Sequence, residues 1–458
     1  MSRLRPALRY HFTLAPDARS LTTTLCFDGA RPTRLTAPVA DAAAHLRSVE
    51  RLTTLGASML QASADGIALD TLAAGDCVRY VVDLALEAGP LQPFGVRSHD
   101  GAEGVASTRL WLWVPEPLAP DADLRARFDG ADGRSVSLPW RLGDNNVWHL
   151  DATAFTREGY VAWSVAPGST VATGDGTLWV HRVDGARGAD AWLGRSARVV
   201  AGLYGGFPAP WTQVILLGRA QGDGADGYSD AAVPFAFTSH AAGESVMFML
   251  WRDATAEGVA RDTTALHEFV HLGQPVMRDE DAWLVEGIAT YYEKVLAVRG
   301  GFTDERAAWS WYLDGFVRGR DDSSGRTLAE DSAALYVDHH VSRVYWAGVA
   351  FAMMADVAVR RETQGRRSLD DAVRALRSCC YARARTFTAD EALAAMDAAV
   401  GSPSISRLAG AVMAARDFPD VESTLAALGV RRGPDEVTLD DRAPAAAVRA
   451  AVFAAPGR

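Results

Sequence analysis

One five-residue segment limits this chain more than anything else in it: His267-Glu268-Phe269-Val270-His271. On a β-strand, residues four apart sit about 13 Å from each other. On an α-helix they stack one above the other on one face, so both imidazoles reach a single metal ion. Glu268 follows the first histidine and points beside such an ion, where its carboxylate can take a proton from bound water. With 10 histidines in 458 residues, the pattern arises by chance on the order of once in a hundred such chains. The plainer alternative is two helix-surface histidines near a carboxylate.

A second segment argues for the metal. Trp283-Leu284-Val285-Glu286-Gly287-Ile288-Ala289-Thr290-Tyr291-Tyr292-Glu293 reads as a helix and carries Glu286 fifteen positions after His271. A hydrolytic zinc site uses three protein ligands and keeps the fourth position open for water. His267, His271 and Glu286 supply that set, which predicts one Zn2+ per chain. Two imidazoles and one carboxylate leave the ion acidic enough to bring the water's pKa toward neutrality. Gly287 and Ala289 are small and predict close packing of this helix on the first. Glu293 lies two turns beyond Glu286 on the same face, placed to hydrogen-bond the outer nitrogen of a ligating histidine. A solvated helix charge is the alternative for Glu293.

The rest of the chain sets this pair of helices in context. Residues 1–170 read as an N-terminal antiparallel β domain, a sandwich or saddle. Leu8, Tyr10, Phe12 and Leu14 alternate with polar residues, as do Val78, Tyr80, Val82, Leu84 and Leu86 around their neighbours. Further strands are expected at 109–114 and 159–165, with turns at Pro115-Glu116-Pro117 and Gly143-Asp144-Asn145-Asn146. Residues 190–203 read as a helix, 214–217 and 245–251 as strands, and 222–229 as a polar, Gly-rich loop. Residues 342–428 read as helices, two of them opened by capping boxes at Ser368/Asp371 and Thr388/Glu391. After Gly429 the chain reads as a short Ala- and Pro-rich tail.

Composition excludes some classes. A net charge of −11 argues against a nucleic-acid surface. No apolar run approaches the length of a membrane span, and residues 1–14 carry no export signal, so a cytoplasmic protein is the simpler expectation. A periplasmic or secreted one requires a signal that has been removed. Of the 4 cysteines, Cys379 and Cys380 are adjacent, which disfavours their pairing. Cys26 and Cys77 are expected as buried thiols, or as a pair if the protein is exported.

The H-E-x-x-H helix followed by a W-x-x-E-G-x-x-x-Y-Y helix resembles the gluzincin aminopeptidases, most closely the glycyl aminopeptidase family. Val344-Tyr345-Trp346-Ala347-Gly348-Val349-Ala350 is similar to that family's Y-x-K-G segment. Arg360-Arg361-Glu362-Thr363 and Gly365-Arg366-Arg367-Ser368-Leu369-Asp370-Asp371 match its continuation, and residues 207–217 resemble the start of its catalytic domain. The likeness runs from about 200 to 430. It implies a multidomain α+β architecture: the β domain to residue 170, a thermolysin-like zinc catalytic domain at 171–330, a helical domain at 331–430 and a tail at 431–458. It also implies that the Tyr345 phenol binds the tetrahedral oxyanion, chemistry that favours the transition state over the substrate. A core tyrosine is the alternative, and His339 and His340 are nearby donors.

The chain departs from the family in four places. The G-G-L-E-H-like exopeptidase motif is replaced by Ser239-His240-Ala241-Ala242-Gly243-Glu244-Ser245, leaving Glu244 as the candidate for binding a substrate amino group. Ala347 replaces the lysine of Y-x-K-G. Leu272-Gly273 stands where a Trp-Asn pair is usual. No PDZ-like domain is expected after residue 430. The resemblance implies a zinc metallopeptidase acting on peptides, an aminopeptidase first of all. The alternatives are a zinc endopeptidase or non-peptide amide hydrolase, and a non-catalytic zinc-containing binding protein.

Overall fold

The computed structural model describes residues 7–29, 31–63, 66–84, 95–98, 101–119, 121–130, 133–220, 231–381, 385–434 and 436–455. The chain divides into two compact units. One comprises residues 1–172, 176–188 and 211–255, and the other 173–175, 189–210 and 256–458.

The first unit is built of β-sheets. The strands β1 (Ala7–Leu14), β2 (Ser20–Asp28), β3 (Cys77–Asp83) and β4 (Asp123–Asp129) lie in one eight-stranded sheet. Burial along β1 alternates residue by residue, with Leu8, Tyr10, Phe12 and Leu14 all inside. That is the period-two pattern of a sheet with one face on a core. The same holds for Val78, Tyr80 and Val82 of β3. Leu86, read as part of that strand, lies outside the described residues. β1 pairs antiparallel with β2 but parallel with β4. The long stretch between β2 and β4 allows the return in the same direction that a parallel pair needs.

Residues 109–114 depart from the expected strand. Thr108–Trp111 is a turn of helix, started by the Ser107 hydroxyl accepting from the Arg109 amide, and a strand follows at Val114–Glu116. Leu110, Trp111, Leu112 and Trp113 are all buried, so the run never alternates and periodicity could not tell helix from strand. The strand expected at 159–165 is present as Tyr160–Ser164.

A five-stranded sheet completes this unit. Its strands include β5 (Thr177–Val183), β6 (Trp211–Arg219), β7 (Phe235–Ser239) and β8 (Glu244–Trp251). β5, β6 and β8 run parallel, and β7 lies antiparallel at the edge. The Gly-rich loop read at 222–229 falls outside the described residues.

Cys26 and Cys77 stand directly opposite each other in the β2–β3 pairing and are joined as a disulfide, with Cα atoms 4.3 Å apart. Cys379 and Cys380 are bonded as well, contrary to expectation. They are the last two residues of the helix Leu369–Cys380.

The second unit is helical. Its main elements are α1 (Asp190–Tyr204), α2 (Thr264–His271), α3 (Ala282–Arg299), α4 (Glu305–Asp321) and α5 (Val341–Glu362). α1 ends at Gly205, whose φ of 74° is the left-handed cap that glycine adopts without strain. Both expected capping boxes are formed, at Ser368/Asp371 and at Thr388/Glu391.

α3 and α5 cross at two glycines. A Cβ on Gly287 would lie 2.4 Å from the Gly348 Cα, and one on Gly348 would lie 2.1 Å from the Trp283 carbonyl oxygen. The small residue beside Glu286 therefore serves the approach of α5, rather than of α2 as its sequence position suggested. Tyr291 of α3 adds a hydrogen bond of 2.9 Å to Asp356 of α5.

Residues after 429 fold into this unit. A hairpin of Val430–Arg432 and Val437–Leu439 precedes the helix Ala446–Phe453. Phe453 packs edge-on against Trp309 at 5.6 Å, and buried Arg449 binds Glu305. The Ala-rich stretch is a good helix former with few but well-spaced anchors. Among the described residues no helix is long and apolar enough to cross a membrane.

Candidate metal centre

α2 is short, so its placement depends on what holds its ends. Ala265, Leu266, Phe269 and Val270 are buried, and Phe269 meets Phe207 edge-on at 5.4 Å. Tyr204 donates its hydroxyl to the Val270 carbonyl at 2.8 Å, tying α1 to the end of α2. Gly273 makes this possible, because a Cβ there would fall 2.3 Å from the Tyr204 ring.

On this helix His267 and His271 turn their Nε2 atoms toward each other at 3.0 Å. Glu286 Oε2, from α3, lies 3.4 Å from each of those nitrogens. The ligating atoms of the three residues all lie within 4.8 Å of one another. A tetrahedral zinc with arms of about 2.0–2.1 Å has ligand atoms roughly 3.3–3.4 Å apart. A triangle of 3.0, 3.4 and 3.4 Å is therefore one face of such a tetrahedron, and the donor set fits the ion.

The outer nitrogens face different partners. His267 Nδ1 lies 3.9 Å from Glu293 Oε2, an ionic contact beyond hydrogen-bond length. Glu293 accepts from Thr263 Oγ1 at 2.5 Å and from Lys294 Nζ at 2.7 Å. Lys294 also donates to Thr263 and sits 4.6 Å over the Trp311 ring. His271 Nδ1 lies 2.8 Å from Gln274 Oε1. Sequence reasoning singled out Glu293 but missed Thr263, Gln274 and Lys294. The available signal for Gln274 was a polar residue three positions past a ligand histidine, the spacing of one helical turn.

The electrostatics follow from burial and paired charge. Burial opposes a charged His267, but the hydrogen bond to Glu286 and the charges of Glu268, Glu286 and Glu293 outweigh it, raising its pKa to about 9. Burial pushes Glu286 up, and His271 and His267 pull it well below the usual carboxylate range. Glu293 is likewise held low, against burial, by Lys294 and His267. Three carboxylates around two imidazoles make a pocket that favours a cation.

Glu268 is only 5% exposed, on the same helix as both histidines. Tyr345 lies in the first turn of α5, three residues before the Gly348 crossing that meets Gly287. Ala347 is fully buried. His340 Nδ1 contacts Asp322 at 2.8 Å, and His339 is exposed with φ of 60°. Glu244 opens β8 in the other unit, where its Oε2 lies 2.5 Å from His240 Nδ1. Arg157 donates to the His240 carbonyl at 3.2 Å.

No family model matches the sequence, and no curated protein matches it. Solved structures do. An aminopeptidase N family protein from Idiomarina loihiensis aligns with a TM-score of 0.70 at 13% identity, covering 92% of this chain and 78% of that one. A substituted M1 zinc metallopeptidase from Deinococcus radiodurans, bound to a Tyr-Ser-Ala substrate, aligns with a TM-score of 0.50 at 16% identity, covering 90% and 94%. A two-domain M1 zinc metallopeptidase bound to L-arginine aligns at 0.52 and 16%. The chain has the fold of these metallopeptidases.

Proposed function

We propose that the protein is a zinc-dependent peptidase of the gluzincin type, acting as an aminopeptidase and related most closely to the glycyl aminopeptidases. The observation that carries this reading is the tetrahedral face formed by His267, His271 and Glu286, with Glu268 buried on the same helix. The fold shared with M1 zinc metallopeptidases supports it.

His267 and His271 would hold the ion through Nε2 and Glu286 through a carboxylate oxygen, and zinc bound there would supply Lewis acidity to a water and to the scissile carbonyl. Glu268 accepts the proton of the attacking water and delivers it to the leaving amine nitrogen. Tyr345 donates a hydrogen bond from its phenol to the oxygen that becomes negative. Glu293 keeps a negative charge behind His267, which raises the basicity of that ligand.

Tyr345→Phe removes one hydroxyl and keeps the ring. The expected kcat falls by roughly two to three orders of magnitude, with zinc content and thermal midpoint unchanged. A variant with wild-type kcat transfers the role to another donor.

An exopeptidase also needs an anion for the substrate's ammonium, since a bare charge in a desolvated site is costly. Glu244 is the proposed partner. Its contact with His240 favours a second reading, in which that carboxylate is already engaged and the enzyme cleaves without an amino-terminal anchor, as an endopeptidase or amide hydrolase. Matched free and N-acetylated peptides decide between them. For an aminopeptidase, Glu244→Gln raises KM for free-amine peptides alone. Equal cleavage of both peptide types by the wild type establishes the second reading. The Cys26–Cys77 bond supports a periplasmic or secreted setting, because disulfides persist in oxidising compartments.

A further inference from the structure

The two ligand histidines are backed differently, and the difference points to a residue with no counterpart in the sequence motifs. Gln274 is 3% exposed. It comes round beneath His271 through two tight turns that end α2, Gly273 N to Val270 O at 3.0 Å and Gln274 N to His271 O at 2.9 Å. Its Nε2 donates to the Val285 carbonyl at 3.1 Å, and its Oε1 lies 2.8 Å from His271 Nδ1. Val285 precedes Glu286 in the chain.

These contacts determine the orientation of the amide. A backbone carbonyl only accepts, so the side facing Val285 must be the NH2 group. The acceptor oxygen is then left facing the imidazole, and Nδ1 must be the nitrogen that carries the hydrogen. The Nε2 lone pair is thereby committed to the interior, beside His267 Nε2 and Glu286 Oε2.

We infer that Gln274 is a positioning residue of the metal centre: one amide fixes the tautomer and ring plane of His271 and fastens that ligand to the backbone beside the third ligand, Glu286. Gln274 thus ties two ligands from different helices to each other. His267, by contrast, is backed by a carboxylate and reached only at 3.9 Å. The inference rests on the zinc reading above.

The test is the zinc affinity of the metal-free full chain, measured by competition with a chromophoric chelator. Wild type, Gln274→Met and Gln274→Glu are compared, with the thermal midpoint of each metal-free form as a control for folding. Gln274→Met keeps the length and removes both hydrogen bonds. It is expected to weaken zinc binding by about 10- to 100-fold, the range for such supporting partners. Gln274→Glu keeps the acceptor on the imidazole but turns a carboxylate oxygen toward the Val285 carbonyl in place of the donor. The greater basicity of a carboxylate-backed imidazole offsets that loss, so its affinity is expected within about threefold of wild type.

Equal affinity in wild type and Gln274→Met overturns the inference. So does a Gln274→Glu variant as weak as Gln274→Met, which leaves only the helix link. If Gln274→Met does not fold, the Gln274→Glu affinity decides alone, and a loss of tenfold or more overturns the proposal. Failure of the wild type to bind zinc refutes the metal reading itself and is seen before any variant is compared.

Discussion

Glu268→Gln retains one zinc per chain and loses nearly all turnover. The substitution changes one oxygen to an NH2 group on a side chain that is 5% exposed, so packing is preserved. What disappears is the basicity. An amide cannot take the proton of the attacking water, and general-base catalysis of this kind contributes about 10²–10⁴-fold. Because the same group returns the proton to the leaving nitrogen, the loss is expected at the upper end, about 10⁴-fold in kcat. Metal analysis and steady-state kinetics on the same preparation make the measurement. Activity surviving within a few-fold removes Glu268 from the mechanism, whereas loss of both zinc and activity makes it a structural support of the site.

His271→Ala is expected to abolish stable zinc binding. Two donor atoms then remain of the three that form the tetrahedral face, and the Gln274 oxygen loses its partner. The clearest readout is thermal. A ligand that binds only the folded state stabilises it by about 2.7 kcal/mol at a hundredfold excess over its Kd. Adding zinc to metal-free wild type should therefore raise the unfolding midpoint, and adding it to the variant should not. His267→Ala is expected to behave the same way. A zinc-dependent shift that survives in either variant excludes the assigned ligands.

The clustering of His267, His271 and Glu286 was legible in sequence because helical spacing is a local rule. His267 and His271 share a face wherever that segment is helical, and Glu286 sits on the next helix. Alternation did the same for β1, where every predicted inward residue is buried. The strand expected at 109–114 failed for a related reason: a run of Leu and Trp buried on all sides carries no periodicity to read. The parallel pairing of β1 with β4 depends on a return across nearly a hundred residues, which no local pattern encodes. Gln274 was missed for another cause: its spacing from His271 was visible, but its partners were not. Its role depends on the turns after α2 and on where α3 presents the Val285 carbonyl, and both are tertiary facts. Gly287 was noticed but matched to the wrong neighbour, since a small residue announces a close approach without saying whose.

That approach has a consequence for how the site can change. Glu286 precedes one of the two touching glycines, and Tyr345 lies one turn before the other. A methyl group on either glycine would act as a wedge, prising apart Glu286, the proposed metal ligand, and Tyr345, the proposed hydrogen-bond donor, while altering neither. The separation of those two groups is set by a bearing with no slack, in which backbone touches backbone. A chain of this fold that lost either glycine would need a new angle between α3 and α5, and with it a new placement of Glu286 relative to Tyr345.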